Sequence, residues 1–223
     1  MALVLNIETA TTNCSVSLSK DGETLVLKED NSLGYSHAET LHVFIDEVFK
    51  IAKLNPSDID AVSVSKGPGS YTGLRIGVSS AKGLCFALNK PLISISTLES
   101  LANQVKIDDG LIIPMLDARR MEVYSAIYNQ DLELVREIKA EILDENSYSE
   151  RLEKQKVYFI GNGVQKTKAL IKHPNAVFIE GKLPSANEMS LLAEIKHQKS
   201  DTEDVAYFEP YYLKDFVALK KKK

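Results

Sequence analysis

The chain has 223 residues and a mass of 24.7 kDa, with a 44% hydrophobic fraction. That is enough for one large domain or two small ones without disulfide or metal staples, and 26% charged residues exclude wholesale disorder. Lysine and arginine number 27 against 31 acidic residues, a net charge of −4, and four of the cations are the terminal Lys220–Lys223. The body therefore carries 23 against 31, or −8, which argues against a stand-alone binder of phosphate backbones. Cys14 and Cys85 form no CxxC pair, so a disulfide framework and a zinc ribbon are excluded and a reducing, cytoplasmic setting is expected. The run Ala2–Ile7 is too short and lacks the basic flank of a signal peptide. No stretch approaches the roughly 18 apolar residues of a membrane span.

In chain order, Leu3–Ile7 reads as a buried strand. Ser15–Ser19 and Thr24–Lys28 read as a hairpin around Asp21-Gly22. Ser36, with Glu39 three residues on, forms a capping box for a helix running to about Lys53, before the breaker Asn55-Pro56. Ala61–Ser65 is a strand, Lys66–Ser70 a loop, Tyr71–Leu88 a helix and Pro91–Ser96 a strand. Thr97 caps a helix expected to reach Val105, and Asp108–Gly110 is a polar, turn-like boundary.

The second half begins again with a strand at Leu111–Leu116, followed by Glu122–Tyr128 and Glu133–Ile138 about a turn at Asn129–Asp131. A helix is predicted over Ser147–Glu153, a strand over Val157–Ile160, a glycine loop and then a helix toward Ile171. Ala176–Ile179 is a strand and Ala186–Lys196 a helix. Both halves thus share one order: strand, hairpin, helix, strand, loop, helix, strand, helix. This predicts two α/β units, residues 1–107 and 108–223, facing a cleft; a single large mixed sheet is the alternative.

Three places suggest chemistry. Glu8-Thr9-Ala10-Thr11-Thr12 follows the first strand, where a carboxylate and hydroxyls can meet phosphate and metal, or simply form a polar turn. Gly67-Pro68-Gly69-Ser70 opens a helix and could meet an anion there, but it matches neither a Walker loop nor GxGxxG. His37 and His42 stand five apart, about 140° around a helix, so they cannot serve one metal as an i, i+3 or i, i+4 pair would. No GxSxG elbow is present. No catalytic, cofactor or metal residue is assigned.

Two helices carry surplus contact faces. On the first, Ala38, Leu41, Phe44, Ile45, Val48, Phe49, Ile51 and Ala52 fill an arc of about 160°, wider than one core contact requires. On the second, Gly73, Gly77 and Ala81 form a stripe without bulk, which calls for a backbone approaching closely. Arg75, Ser79, Lys82 and Phe86 lie within about 60° on the opposite side. An interface patch and a helix deep within one chain both fit this pattern.

The opening Leu3–Ala10 with Cys14-Ser15-Val16, and Ser36–Leu41, resemble the TsaB (YeaZ) family. The most specific likeness is Lys66–Gly77 followed by Ala81–Leu84. Leu116–Arg120, Glu122-Val123-Tyr124 and Pro210–Lys214 extend it along nearly the whole chain.

The resemblance implies a two-domain actin-like (ASKHA, ribonuclease H-like) α/β fold, each half a mixed sheet with flanking helices. It implies a role in forming threonylcarbamoyladenosine at position 37 of ANN-decoding tRNAs. In that family the catalytic subunit is the paralogue TsaD, which holds a metal through a His-xxx-His pair. TsaB is its non-catalytic partner, and the ATPase TsaE joins them. Here four residues separate His37 from His42.

The family's docking surface is the N-terminal helix pair, which forms a four-helix arrangement with TsaD or, alone, with a second TsaB. Leu41, Phe44, Val48, Ile51, Gly73, Arg75, Gly77, Ser79, Lys82 and Phe86 are the interface residues expected on that basis. A nucleotide shared at the TsaD contact and tRNA reached only through the complex complete the expectation, with no membrane contact. Glu8 and Tyr71 stand where Asp and Phe are usual, and Glu8 weakens any independent nucleotide site. An actin-like phosphotransferase, a metallopeptidase and a direct tRNA-binding module are the rival readings.

Overall fold

The structure, a computed structural model, describes residues 2–31 and 37–214. Strands β1 (Leu3–Glu8), β2 (Cys14–Lys20) and β3 (Glu23–Asp30) form an antiparallel meander. Asp21 and Gly22 sit at φ 56° and 82°, the left-handed pair that a two-residue hairpin turn requires. Helix α1 (His37–Ala52) leads through a short 3₁₀ turn (Pro56–Asp58) to β4 (Ala61–Gly67), which pairs parallel to β1. Helix α2 (Tyr71–Leu88) and β5 (Leu92–Ser96), parallel to β4, complete a sheet of order β3-β2-β1-β4-β5.

After α3 (Thr97–Ala102) the second half repeats this plan. It consists of β6 (Leu111–Asp117), β7 (Glu122–Asn129), β8 (Leu134–Ile142), α4 (Ser149–Leu152), β9 (Val157–Ile160), α5 (Val164–Leu170), β10 (Ala176–Ile179) and α6 (Ala186–Gln198). The sheet order is β10-β9-β6-β7-β8, the same arrangement read from the other edge. Each half is a mixed sheet with flanking helices.

Side-chain alternation along β1 explains how the first sheet is covered. Leu5 and Ile7 face α1 and α2, together with Val16, Leu18, Val62 and Val64. Val4 faces the opposite way, where Ala186, Met189 and Ala193 of α6 pack. Asn6, on that inner face, donates to Ser17 and Ser19 and accepts from Ser63, while Ser17 donates to the Ala186 carbonyl. Helix α6, late in the chain, thus covers the first sheet. Helix α3 lies against the second, with Leu98 and Leu101 on Ile112, Leu116 and Ile160. Gln104 donates to the Leu183 carbonyl at 2.6 Å, joining the crossing segments.

Several element ends differ from expectation. Ser36, the predicted N-cap of α1, lies outside the described residues, as does the Lys220–Lys223 tail. Ser96, not Thr97, stands at the N-cap position of α3, without a side-chain capping bond, while the Thr97 hydroxyl is engaged with Ser65 at 2.6 Å inside the first turn, and the helix ends at Ala102 rather than Val105. Strand β8 runs four residues past the predicted Ile138 to Ile142. There Arg136 pairs with Glu141 at 2.7 Å and donates to Ser125, and Tyr148 reaches the same carboxylate.

Candidate functional site

The turn after β1 organises the N-terminal helix pair. Ser70 caps α2 by accepting from the Gly73 amide, and its own amide donates to the Ala10 carbonyl at 2.7 Å. The Thr9 hydroxyl donates to the Gly73 carbonyl at 2.8 Å. A methyl group on Gly73 would overlap the Thr9 carbonyl oxygen, one on Gly77 the Thr9 hydroxyl, and one on Gly69 would stand 2.5 Å from the Ala10 carbonyl oxygen. The backbone that approaches this glycine stripe is therefore the chain's own. Gly73 and Gly77 are buried and leave the expected partner surface.

The same turn decides how well a nucleotide phosphate would fit. Glu8 is fully buried, and one carboxylate oxygen accepts the Ala10 amide at 2.6 Å. Burial pushes its pKa up to about 7, opposed by the Ala10 amide and the Ser65 hydroxyl. The Ser70 amide at the Gly69–Ser70 corner is taken by the Ala10 carbonyl, so a phosphate could reach it only by breaking that bond. These residues do not fit an independent nucleotide-phosphate site.

The two histidines have separate surroundings. A ring nitrogen of buried His37 lies 2.6 Å from the Thr11 carbonyl oxygen, whereas exposed His42 meets Ser80 of α2 at 3.4 Å. Their side chains diverge, so one metal ion cannot take both.

The open face of the helix pair differs from the predicted one. Leu41 and Val48 are buried in the first core, covered by the chain itself, and cannot be partner contacts in this arrangement. Phe44 is half-buried against that core, with the Lys28 ammonium 5.7 Å from its ring centroid. Ile51 is 57% exposed and lies on the same side of α1, toward the β3 edge.

On α2, Phe86 stands 86% exposed, and Arg75 and Ser79 are also exposed. Lys82 is committed: its ammonium donates to the Ala206 and Phe208 carbonyls at 3.2 and 2.8 Å. Arg75 lies over the Tyr71 ring, donates to the Tyr71 hydroxyl at 2.7 Å, and Tyr71 in turn packs against Tyr212. The segment from Glu203 to Lys214 therefore runs beside α2, pairing with β5 at Leu92 and with Lys66 through the Tyr211 amide. The expected apolar surplus is split, with Phe44 and Ile51 at one margin and Phe86 at the other.

Between those margins lies Gly83, which like Gly73 and Gly77 is a helix glycine in need of a reason, with neighbours outside the expected surface. A methyl group on Gly83 would meet nothing within 4 Å. Thr72 and Ala87 are exposed beside it, and Ile76 is half-buried. A glycine within a helix costs about 1 kcal/mol relative to alanine, and among the described residues Gly83 has no contact that compensates for this. The signal was available in the sequence, because Gly83 falls off the Gly73-Gly77-Ala81 stripe and so needs a reason of its own.

Comparison with known proteins agrees with this architecture. The family model for TsaD, tRNA N6-adenosine threonylcarbamoyltransferase, matches residues 33–222. A tRNA N6-adenosine threonylcarbamoyltransferase of Jannaschia sp. is 42% identical over 81 residues, covering 36% of this chain and 23% of that protein. YeaZ from Pseudomonas aeruginosa superposes with a TM-score of 0.80 at 26% identity, over 96% of this chain and all of that one. The fold is therefore the two-sheet actin-like one. The tRNA threonylcarbamoyladenosine biosynthesis protein TsaB of Escherichia coli is 32% identical over 98% of this chain and 97% of its own length. By that full-length relationship the chain belongs to the TsaB family.

Proposed function

We propose that this chain is a non-catalytic, activating subunit in the formation of threonylcarbamoyladenosine on tRNA. Its partner is a catalytic subunit of the TsaD type, joined by an ATPase of the TsaE type, in the cytoplasm. The names of the full-length relatives support the pathway. The observation that carries the docking role is the outer face of α2, where Gly83 leaves open space in mid-helix beside the exposed Phe86. A partner helix can approach such a floor closely, and a projecting aromatic anchor commonly dominates the binding energy. The contact surface thus comprises Thr72, Ile76, Ser79, Gly83, Phe86 and Ala87, with Phe44 and Ile51 at the α1 margin. In the absence of the partner, a second copy of the chain occupies the same face.

The reading as a phosphotransferase is disfavoured by the Ser70 amide being taken up by Ala10, and that as a metallopeptidase by the divergent histidines. A nucleotide shared with the partner would have to be held chiefly by the partner's residues.

Phe86→Asp is expected to weaken association with the TsaD-type subunit by a few kcal/mol, a loss of at least a hundredfold in affinity. Calorimetric titration checks this, with circular dichroism showing that the variant is folded. Unchanged affinity would remove α2 from the interface.

A further inference from the structure

A second exposed feature lies at the tip of the β6–β7 hairpin, where Glu122 bonds Lys214, two residues beyond the Tyr212 that packs on Tyr71. Arg119 and Arg120 occupy consecutive left-handed backbone positions, at φ 69° and 51°. Each such residue costs on the order of 1–2 kcal/mol when it is not glycine, and glycine or asparagine would be the ordinary choice. Both side chains are exposed.

The surroundings hold the tip in this form. Lys166, whose side chain is only 14% exposed, donates from its ammonium to the Asp117 carboxylate at 2.8 Å, the Arg120 carbonyl at 2.6 Å and the Glu122 carbonyl at 3.0 Å. Asn162 accepts the Asp117 amide, and Asp117 accepts the Arg119 amide.

Charge follows the same plan. The two neighbouring carboxylates are neutralised, Asp117 by Lys166 and Glu122 by Lys214, whose ammonium also lies 5.9 Å from the Tyr124 ring centroid. Among the described residues, neither arginine is joined to a carboxylate in an ion pair. On a chain whose body is acidic, two exposed guanidinium groups on a fixed backbone form a local cationic point. Guanidinium forks match phosphate oxygens bidentately, and such contacts position a nucleic acid without reading its bases.

We propose that Arg119 and Arg120 contact the phosphate backbone of the tRNA when this chain is bound to its catalytic partner. The inference rests on the function proposed above, and it replaces a purely indirect role in tRNA binding with a direct contact at one place.

The test uses the complex of this chain with its TsaD-type partner, titrated into a fluorescently labelled, unmodified transcript of an ANN-decoding tRNA. The double variant Arg119→Asn, Arg120→Gly removes both charges with residues suited to the left-handed backbone, so folding is retained. Its expected effect is a loss of about tenfold in tRNA affinity, with the slope of log affinity against log salt reduced by about 1.4–1.8, corresponding to two lost phosphate contacts. Association with the TsaD-type subunit, measured separately by calorimetry, stays unchanged.

Unaltered tRNA affinity and salt slope would overturn the proposal. So would a loss confined to binding of the TsaE-type ATPase, which would make the tip a contact for an acidic protein surface. If the wild-type subunits associate but their complex binds no tRNA, the proposed pathway fails along with this contact. Failure of the variant alone leaves the pathway standing.

Discussion

Gly73→Ala is expected to destabilise the chain by about 3 kcal/mol, lowering Tm by roughly 6–12 °C for a protein of this size. The added methyl would overlap the Thr9 carbonyl oxygen, and that carbonyl has little freedom to move. Its residue is tied to α2 by the Thr9 hydroxyl on the Gly73 carbonyl, and the next residue by the Ser70 amide on Ala10 and the Ala10 amide on Glu8. Gly83→Ala is the matched control on the same helix. Its methyl enters open space in the single chain, so the monomer, measured at concentrations too low for self-association, should gain up to about 1 kcal/mol from helix propensity. Thermal unfolding of the three proteins checks both signs. A Gly73→Ala protein as stable as wild type would show that the β1–β2 turn does not press on α2 as described.

Glu8 gives the second large effect. Its pKa rises from 4.5 to about 7 in the folded chain, chiefly because burial disfavours the charge. Between these two values the folded state holds a proton that the unfolded state has lost. Stability therefore falls as pH rises through this window, by about 3 kcal/mol in total at pH 8, after which the loss is constant.

Glu8→Gln keeps an acceptor for the Ala10 amide and carries no charge. The variant should match wild type near pH 4.5 and exceed it by about 3 kcal/mol at pH 8. Other carboxyl groups shift in both directions, Glu99 upward through burial and Glu141 downward, where Arg136, Ser125 and Tyr148 outweigh its burial. The informative quantity is therefore the difference between the two denaturation curves across pH. Parallel curves would mean that Glu8 titrates normally in the folded chain.

How much of this was legible in the sequence varies with the kind of interaction. Helix α2 matches its predicted limits at both ends, Tyr71 and Leu88, because local chemistry sets them. Ser70 caps one end, and Asn89 in the left-handed region closes the other by donating to the Cys85 carbonyl. Strands β9 and β10 were legible for similar local reasons. By contrast, a Gly73-Gly77 stripe announces a close neighbour without saying which one. The neighbour proved to be Thr9, some 64 residues earlier in the chain.

Likewise, helical periodicity placed Leu41 and Val48 at the centre of an apolar arc, with Phe44 and Ile51 on one edge and Phe49 on the other, but could not divide that arc between core and surface. The crossing of α3 and α6 onto the opposite sheets depends on long-range packing, and neither helix carries a local signal for it. At Arg119 and Arg120 the residue types point away from a left-handed turn. The largely covered ammonium of Lys166, 46 or more positions along the chain, and the Asn162 and Asp117 side chains hold it instead.

The central claim, that this chain activates a catalytic partner and performs no transfer itself, is tested most directly by reconstituted threonylcarbamoyl transfer to tRNA. The chain, its TsaD-type partner and the TsaE-type ATPase would be assayed singly and together. The account predicts no product from the chain alone, little from the partner without it, and full activity only when the chain is present. Transfer by the chain alone, or full activity of the partner in its absence, would contradict it.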